Sequence, residues 1–305
     1  MKVLFVCSGN RVGVSPLIKN QAESLIAEGV EIEYFAIIGK GWKGYVHNIQ
    51  KLRFYLKAHK YDIVHAHYSL TAFVASLAGA EPLVVSIMGS DLKAVKWYKY
   101  IIRMFRFLFR WKAVIVKSQD MYDTLHFKAA RIIPNGVDTD KFKPMNKIDC
   151  QKQLNWDCSK KHLLFPASPF RREKNYSLAL EAVAILENEA IELHYFDNTP
   201  NSITPIWYNA ADAVVMTSLW EGSPNAIKEA LACCRPIVTT NVGDVNFLLK
   251  NLEGTFITSF GKEEIASCLN DALRYKSTEG LKQIQSTQIT SSTIARKIIN
   301  IYTDQ

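Results

Sequence analysis

Short apolar runs that alternate with longer amphipathic stretches are the feature that most constrains the fold of this chain. In the first half, six such runs predict β-strands, at 2–7, 31–38, 62–66, 82–87, 113–116 and 131–133. Helical patterns separate them, and strands that alternate with helices predict a parallel sheet built from right-handed crossovers. The runs lack alternating polar residues, as expected for strands that are buried on both faces.

The second half of the chain repeats this scheme. Five further apolar runs predict strands, near 162–166, 191–196, 213–217, 236–240 and 255–257. The other stretches predict helices, near 176–188, 224–234, 244–250, 262–275 and 281–302. Because 305 residues exceed a typical single core of about 100–200 residues, we expect two domains. The predicted class is α/β, with two Rossmann-like, doubly wound domains that face each other across a cleft.

The segment 134–144 combines proline with an Asn-Gly turn signal and predicts the domain boundary. We therefore expect a first domain at 1–144, a second at 145–290, and a last helix at 291–305 that packs back on the first. Ligands of such sheets bind beyond the carboxyl ends of the strands, so the loops at those ends are the places to look for a site.

The net charge of +8 is unevenly distributed. Residues 1–144 carry 21 Lys+Arg against 11 Asp+Glu, whereas the remainder carries 16 against 18, so the first half indicates an anionic partner. The six cysteines are scattered, without Cys-x-x-Cys or a Cys/His spacing that suits zinc. No signal peptide is recognised, and no apolar run approaches the roughly 18 residues that span a bilayer, so we expect a cytoplasmic protein.

Two glutamates flank a predicted helix start in the segment Glu221–Glu229. Ser223 is the predicted N-cap and Pro224 the predicted first helical residue. A helix N-terminus presents free N–H groups and partial positive charge, so the segment predicts a phosphate site. The alternative is that both glutamates merely complement the helix dipole. That alternative is weakened because Ala226 stands where a capping box needs Glu or Gln.

The spacing of these glutamates resembles the hallmark of retaining glycosyltransferases of family 4, group 1, which have the GT-B fold. Seven residues separate the two acids, in Glu-Gly-Ser-Pro-Asn followed by Glu-Ala-Leu-Ala. Four further segments resemble that family in the expected order, namely 62–67, 89–91, 133–138 leading to 142–144, and 208–212. The resemblance covers nearly the whole chain and implies transfer of a sugar from a nucleotide diphosphate.

By this resemblance, Glu229 holds the ribose hydroxyls, while Glu221 and the backbone after it contact the donor sugar and the diphosphate. Gly13 ends a glycine-containing turn after the first strand that lets the backbone approach the phosphates. The expected donor-binding residues are Gly13, Gly222, Ser223, Pro224, Asn225, Ala226 and Glu229.

A basic loop follows the first strand of the second domain, at 165–175. Negative charge builds on the departing phosphate during transfer, so fixed cations are the main catalytic need. The alternative is a merely solvated basic surface. The loop resembles the family's Gly-Arg…Glu-Lys-Gly loop; Lys174 matches its lysine, but Pro169 stands in place of its arginine. Either Arg171 or Arg172 substitutes, so the expected catalytic residues are Arg171, Arg172, Lys174 and Glu221.

The acceptor-side candidates lie in the first half, and they are Asn10, Arg11, Lys40, Lys43, His65, His67 and Asp91. The two lysines lie in 39–44, which satisfies the dinucleotide fingerprint Gly-x-Gly-x-x-Gly. That run follows the second strand and lacks an acid placed for a ribose, so acceptor binding is the preferred interpretation. The two histidines end a strand, where a buried core position and a catalytic role both stay open.

Asp138-Thr-Asp140 imitates a metal-binding Asp-x-Asp motif. Its place in the interdomain turn favours a backbone-setting role for Asp138 instead. We predict no metal, and no cofactor apart from the nucleotide-diphosphate sugar that serves as donor.

The segment 93–112 contains seven Lys or Arg, seven aromatic residues and no acid. It resembles an interfacial helix that lies on an anionic leaflet. The alternative is a crossover helix that turns Ile101, Met104, Leu108 and Trp111 towards the sheet, and both can hold together. We expect a glycan or lipid-linked acceptor and a peripheral position on the inner face of the plasma membrane. Nucleic acid is not expected, because no recognition module accompanies the charge.

The chain is therefore predicted to be a metal-independent, retaining hexosyltransferase of bacterial surface polysaccharide synthesis, for capsule, exopolysaccharide or lipopolysaccharide. One alternative is a nucleotide-sugar epimerase or hydrolase of the same fold. Another is a catalytically inactive membrane-associated scaffold, which Pro169 and Met88, two departures from the family pattern, leave open.

Overall fold

A computed structural model shows how the chain folds. The described residues are 1–10, 13–39, 41–89, 92 and 97–304, without the side chain of Trp42. They form two compact units, Met1–Gly136 with Ser291–Gln305, and Val137–Thr290.

The chain enters the second unit at Val137, earlier than the boundary expected after residue 144. The Val137 N–H donates to the Ile289 carbonyl at 3.0 Å, and Phe142 is buried in the core of the second unit. Both contacts tie the predicted linker to the second unit.

The first unit contains a six-stranded parallel sheet of order β2-β1-β3-β4-β5-β6. Its strands are β1 (Lys2–Ser8), β2 (Glu31–Ile37), β3 (Ile63–His67), β4 (Leu83–Ser86), β5 (Ala113–Val116) and β6 (Ala130–Ile132). Its first helices are α1 (Pro16–Ala27), α2 (Gly41–Ala58), α3 (Ser69–Ala78), α4 (Tyr98–Leu108) and α5 (Gln119–Leu125). Apolar clusters cover both faces of this sheet, which explains why its strands are continuous apolar runs.

The second unit contains a five-stranded sheet of order β11-β10-β9-β7-β8. Its strands are β7 (Lys161–Phe165), β8 (Ile191–Tyr195), β9 (Ala213–Met216), β10 (Ile237–Thr240) and β11 (Thr255–Thr258). Its helices are α6 (Lys147–Gln153), α7 (Tyr176–Ile185), α8 (Thr204–Ala210), α9 (Asn225–Ala232), α10 (Val245–Leu248), α11 (Lys262–Ala272) and α12 (Gly280–Ser286). A short 3₁₀ helix, Arg172–Lys174, precedes α7.

All eleven predicted strands are confirmed, with ends within one residue of the prediction. The single helix predicted at 281–302 is wrong, because α12 and a last helix, α13 (Ser291–Thr303), replace it. Gln288 has a positive φ of 54° and Ile289 is buried, so the chain turns there and leaves the second unit. Helix α13 belongs to the first unit, where Ile294 and Ile298 pack in the same cluster as residues of α1.

Helix α4 faces the first sheet differently from the prediction. Ile102 is 1% exposed and Phe105 packs against the core, whereas Met104 and Leu108 are 49% and 61% exposed. Trp111 is fully buried in the core, as predicted, whereas the prediction that Met104 and Leu108 face the sheet is wrong. Among helices of the described residues, none combines the length and apolarity needed to cross a membrane.

Candidate functional site

In the second unit, the basic loop and the segment Glu221–Glu229 follow neighbouring strands, β7 and β9, and they are hydrogen-bonded to each other. The Leu219 N–H donates to the Glu173 carbonyl at 2.9 Å, and Thr217 Oγ1 donates to the Asn175 carbonyl at 2.8 Å. The sheet order places β7 beside β9, so two motifs that are far apart in sequence meet at the carboxyl ends of these strands.

Lys174 and Glu221 form an ion pair between Nζ and Oε1. The two side chains are 13% and 17% exposed, so the pair is largely shielded from water. Ser218 Oγ also donates to the same carboxylate oxygen, at 3.0 Å. The lysine and the first glutamate, which were predicted from separate motifs, are thus brought into direct contact.

The two candidate arginines differ in their surroundings. Arg171 donates from Nε and Nη2 to Glu173 Oε1, at 2.9 and 2.7 Å. Arg172 begins the 3₁₀ helix and is exposed, and within the described part of the chain its guanidinium has no ion pair. Arg172 therefore differs from Arg171 in having no carboxylate partner among the described residues.

Helix α9 begins one residue later than predicted. Pro224 is at the N-cap, and Ser223 Oγ donates instead to Asp244 Oδ2, at 2.6 Å. The prediction of Ser223 as N-cap is wrong, because Pro224 occupies that position and the Ser223 hydroxyl donates to the carboxylate of Asp244. The first N–H groups of a helix have no intrahelical acceptor, so the start of α9, at Asn225 and Ala226, still presents a positive end.

Gly222 and Gly243 bring two loops of the second unit together. Gly243 has φ of +60°, and a Cβ built on it would lie 2.8 Å from the Gly222 carbonyl oxygen. The loop after β10 therefore contacts the backbone of the loop before α9, and this contact leaves no room for a side chain at Gly243.

Glu229 is bound by a residue of another helix. Tyr208, which is fully buried on α8, donates its hydroxyl to Glu229 Oε2 at 2.8 Å. Burial raises the pKa of Glu229 to about 7, against the opposing effects of the Tyr208 hydrogen bond and of the Lys141 charge. This carboxyl group therefore changes its charge near neutral pH.

Two further ionisable groups lie near this helix, the fully buried Lys228 and the half-buried Asp244. Burial lowers the pKa of Lys228 to about 8, while the charge of Asp244 raises it. Burial raises the pKa of Asp244, opposed by Lys228 and by the hydrogen bond from Ser223. Among the described residues, Asp244 Oδ1 has no hydrogen-bond partner. The start of α9 is thus surrounded by groups whose charges depend on one another.

Sequence reasoning missed the roles of Ser218, Tyr208 and Asp244. Tyr208 opens the family-like segment 208–212, which was a signal for that position. The rest of that segment is structural: Asn209 accepts from the Met145 N–H at 2.8 Å, and Asp212 pairs with Lys147 at 2.8 Å.

The glycines of the first unit shape its loops. Asn10 Oδ1 accepts a hydrogen bond from the Gly39 N–H at 2.7 Å, so Asn10 fixes the turn after β2. A Cβ on Gly44 would lie 2.5 Å from the backbone of Gly39. These two glycines of the Gly-x-Gly-x-x-Gly run therefore allow close packing of the backbone. Gly13, a donor-side candidate, has a positive φ of 77°. Lys43, an acceptor-side candidate, is exposed on α2. Three candidates, Arg11, Lys40 and Asp91, lie outside the described residues.

His65 is a buried histidine with both ring nitrogens engaged. Nδ1 contacts the Tyr302 hydroxyl at 2.5 Å, and Nε2 contacts Ser86 Oγ at 2.9 Å. Burial lowers its pKa well below the usual value, so the ring is neutral. These contacts match the core alternative for this position.

His67 is also buried, and its ring packs against Phe5 and His65, with centroid distances of 4.4 and 4.3 Å. Within the described part of the chain, no hydrogen-bond partner is found for either ring nitrogen. Burial, followed by the charge of Lys117, lowers the pKa of His67 to about 3.

Asp138 sets the turn, as predicted. Its Oδ1 accepts from the backbone N–H groups of Asp140 and Lys141, at 2.9 and 3.0 Å. The Asp138 carboxylate therefore forms hydrogen bonds with the backbone of its own turn.

Comparison with known proteins identifies the family. Residues 15–141 match Glycosyltransferase Family 4, and residues 199–274 match Glycosyl transferases group 1. The chain is similar to the Escherichia coli UDP-Gal:alpha-D-GlcNAc-diphosphoundecaprenol alpha-1,3-galactosyltransferase, with 27% identity over 288 residues, covering 80% of this chain and 72% of that protein.

Two solved structures share the fold of the whole chain. Sucrose-phosphate synthase from Thermosynechococcus elongatus matches with a TM-score of 0.81 and 15% identity, over 99% of this chain and 98% of that one. Anabaena HepE in complex with UDP and glucose matches with a TM-score of 0.79 and 18% identity, over 100% of both chains. With its two parallel sheets and its two family matches, the chain belongs to the family 4, group 1 glycosyltransferases of the GT-B fold.

Proposed function

We propose that this glycosyltransferase is a retaining, metal-independent hexosyltransferase that uses a nucleotide-diphosphate sugar as donor. The observation that carries the proposal is the contact between Lys174 and Glu221 beside the start of α9. It combines a cation for the leaving phosphate, a carboxylate for sugar hydroxyls and a helix N-terminus for the diphosphate.

The donor lies with its diphosphate at the start of α9, where the backbone of Gly222, Asn225 and Ala226 and the N-terminal dipole favour negative charge. Glu229 accepts hydrogen bonds from the ribose hydroxyls, and Glu221 accepts from the hydroxyls of the donor sugar. The Anabaena relative was solved with UDP and glucose, and the Escherichia coli relative is named for a UDP-galactose donor, which supports a nucleotide sugar here.

During transfer, the bond between the sugar carbon and the phosphate oxygen breaks, and negative charge accumulates on the departing diphosphate. Lys174 and Arg172 stabilise that charge, which is the role a metal ion has in other transferases. The acceptor hydroxyl oxygen bonds to the same sugar carbon on the face that the phosphate leaves. Its proton passes to the departing phosphate oxygen, so atoms and charge balance without a further base.

Helix α4 supports a lipid-linked acceptor at an anionic membrane surface. Five apolar side chains of α4 and its N-cap are between 49% and 80% exposed, and they are Trp97, Tyr100, Met104, Phe107 and Leu108. Their spacing places them on one stripe of the helix, Lys99 lies to one side of it, and Arg110 follows just after the helix ends at Leu108. An apolar stripe beside basic residues fits the boundary between headgroups and acyl chains.

The Escherichia coli relative is named for a diphosphoundecaprenol-linked acceptor. This supports a peripheral position on the inner face of the plasma membrane, with a role in bacterial surface polysaccharide synthesis.

The donor proposal is tested with a panel of nucleotide-diphosphate sugars. We expect one of them to raise the melting temperature and to be consumed only when an acceptor is added. Glu229→Ala and Lys174→Ala should keep the fold and lose most turnover, on the order of 10²-fold or more for a charge that stabilises the transition state.

Three outcomes would contradict the proposal. Near-normal transfer by both variants would exclude the assigned roles. Rapid consumption of a donor without acceptor would identify a hydrolase or epimerase, and the absence of any thermal shift would identify a scaffold without donor binding.

A further inference from the structure

A second group of polar side chains lies in the second unit, on the neighbouring strands β7 and β8. His162 is the second residue of β7, and it pairs in register with Glu192 of the edge strand β8. His194 follows two residues later in β8, so all three side chains project from the same face. In this His-Glu-His cluster, His162 and Glu192 are each the second residue of their strand, and His194 is the fourth residue of β8.

One ligand atom from each residue points to a common position. His162 Nδ1 and His194 Nε2 are 2.9 Å apart, and each lies 3.7 Å from Glu192 Oε2. Three tetrahedral zinc ligands with bonds of about 2.0–2.1 Å lie roughly 3.3 Å from one another. All three observed separations fall within about half an ångström of that value, so a small shift of the side chains makes room for an ion.

The hydrogen bonds around His162 fix its tautomer and leave Nδ1 as an acceptor. His162 Nε2 lies 2.9 Å from the Asp157 carbonyl oxygen, which can only accept. Nε2 therefore carries the proton, and Nδ1 accepts a hydrogen bond from His194 Nε2 at 2.9 Å. Zinc binding replaces that proton of His194, whose ring then keeps its proton on Nδ1. A histidine that ligates a metal commonly donates its other ring N–H to a backbone carbonyl in this way.

Neighbouring side chains also orient Glu192 and His194. Lys160 Nζ binds Glu192 Oε1 at 2.6 Å, which orients the carboxylate and leaves Oε2 turned towards the two imidazoles. The Trp156 ring stacks on His194 with a centroid distance of 3.6 Å and an interplanar angle of 9°. Both contacts restrict the side chains to the orientation that brings the ligand atoms together.

We propose that His162, Glu192 and His194 bind one Zn²⁺ ion. Two imidazole nitrogens with one carboxylate oxygen suit zinc better than magnesium or calcium, which prefer oxygen ligands. His162 is fully buried, whereas Glu192 is 36% exposed, so the ion enters from the side of Glu192 and a water molecule completes the tetrahedron. The ion joins the edge strand β8 to β7 and takes no part in sugar transfer.

The test uses the purified full chain after treatment with a chelator. We expect dialysis against Zn²⁺ to load one equivalent, measured by elemental analysis, and to raise the melting temperature. Co²⁺ should give the visible absorption of a tetrahedral site. Because Trp156 stacks on a ligand, Co²⁺ should also quench part of the tryptophan fluorescence, and Trp156→Phe should remove that part while the absorption remains.

His194→Ala and Glu192→Gln should lose the bound ion, and both are preferred to changes at His162 because they are not fully buried. Their controls are His47→Ala and Glu189→Gln, which alter exposed residues outside the cluster and should bind zinc like the unchanged chain. The proposal is overturned if the unchanged chain takes up no zinc, or if folded His194→Ala and Glu192→Gln take up as much as the controls.

Discussion

The Tyr208 hydroxyl donates to Glu229 Oε2 at 2.8 Å and thereby joins α8 to α9 beneath the proposed ribose site. Tyr208 is fully buried, and burial raises the pKa of the carboxyl group that it contacts to about 7. The residue proposed to hold the nucleotide is therefore an acid that is half-ionised near neutral pH.

Donor affinity is expected to depend on pH through Glu229. A ribose hydroxyl donates to the ionised carboxylate more strongly than to the protonated acid. Because the pKa is about 7, affinity should rise as the pH increases from about 6 to about 8. Calorimetric titration with a nucleotide-diphosphate sugar checks this, because its phosphates do not titrate in that range. Glu229→Gln should bind more weakly and lose this rise in affinity, and a rise of the same size in that variant would contradict the assignment.

Tyr208→Phe is expected to move this pH profile upwards. The hydrogen bond from Tyr208 lowers the pKa of Glu229, so its removal leaves the effect of burial less opposed. The midpoint of donor binding should shift to higher pH, while affinity at high pH stays close to that of the unchanged chain. A midpoint that stays in place would mean that the hydrogen bond has no influence on the charge of Glu229.

The same shift links folding stability to pH. The native state holds the Glu229 proton more tightly than the unfolded chain, whose carboxyl group has a pKa of 4.5. The contribution of this group is therefore fully present below 4.5 and is lost as the pH rises towards about 7. Glu229→Gln should remove that part of the slope in denaturation midpoints measured across this range.

Arg172→Ala should reduce turnover more than Arg171→Ala does. Both arginines are exposed, but the charge of Arg171 is balanced by Glu173, whereas Arg172 has no ion pair among the described residues. Loss of one group that stabilises the leaving charge costs about 10²-fold in kcat. Steady-state kinetics of the two variants decides between them, and a larger loss in Arg171→Ala would reverse the assignment.

The strands could be predicted because their burial on both faces leaves continuous apolar runs, visible in residues such as Val3 and Val214. Contacts between distant parts of the chain could not be predicted in this way. Serine is a common N-cap residue, but the Ser223 hydroxyl donates to Asp244. No local sequence pattern predicts a hydrogen-bond partner 21 residues away. The Tyr208–Glu229 bond is missed for the same reason, because it depends on how α8 and α9 pack.

Gly243→Ala should disturb the donor loop from a distance in sequence. The new Cβ would lie 2.8 Å from the Gly222 carbonyl oxygen, in a backbone conformation with φ of +60°. Strain of this kind costs about 1–3 kcal/mol, so the melting temperature should fall and donor affinity should weaken. Gly29→Ala is the matched control, since it has φ of +88° but no atom within 4 Å of the added Cβ. Equal effects on donor affinity would show that the contact with Gly222 is unimportant.

Membrane binding by α4 is tested with a pair of exposed phenylalanines. Phe107 lies on the apolar stripe of α4 and is 80% exposed, whereas Phe170 lies in the second unit and is 83% exposed. Because the two side chains have nearly the same exposure, changing either to Ser removes a similar apolar area from the surface. Only Phe107→Ser should weaken sedimentation with anionic liposomes, by about tenfold for one phenyl ring that enters the interface.

The basic residues to be substituted in and just after α4 must be selected with care, because two of them stabilise the first unit. Arg103 donates to the Leu125 carbonyl, and Arg106 lies over the Phe127 ring, so their removal would alter the fold as well as the charge. Lys99→Gln with Arg110→Gln removes charge without breaking those contacts. This double variant should weaken binding to anionic liposomes and lessen its salt dependence, while Phe107→Ser should leave the salt dependence in place. Binding that ignores all of these changes would exclude α4 as the membrane contact.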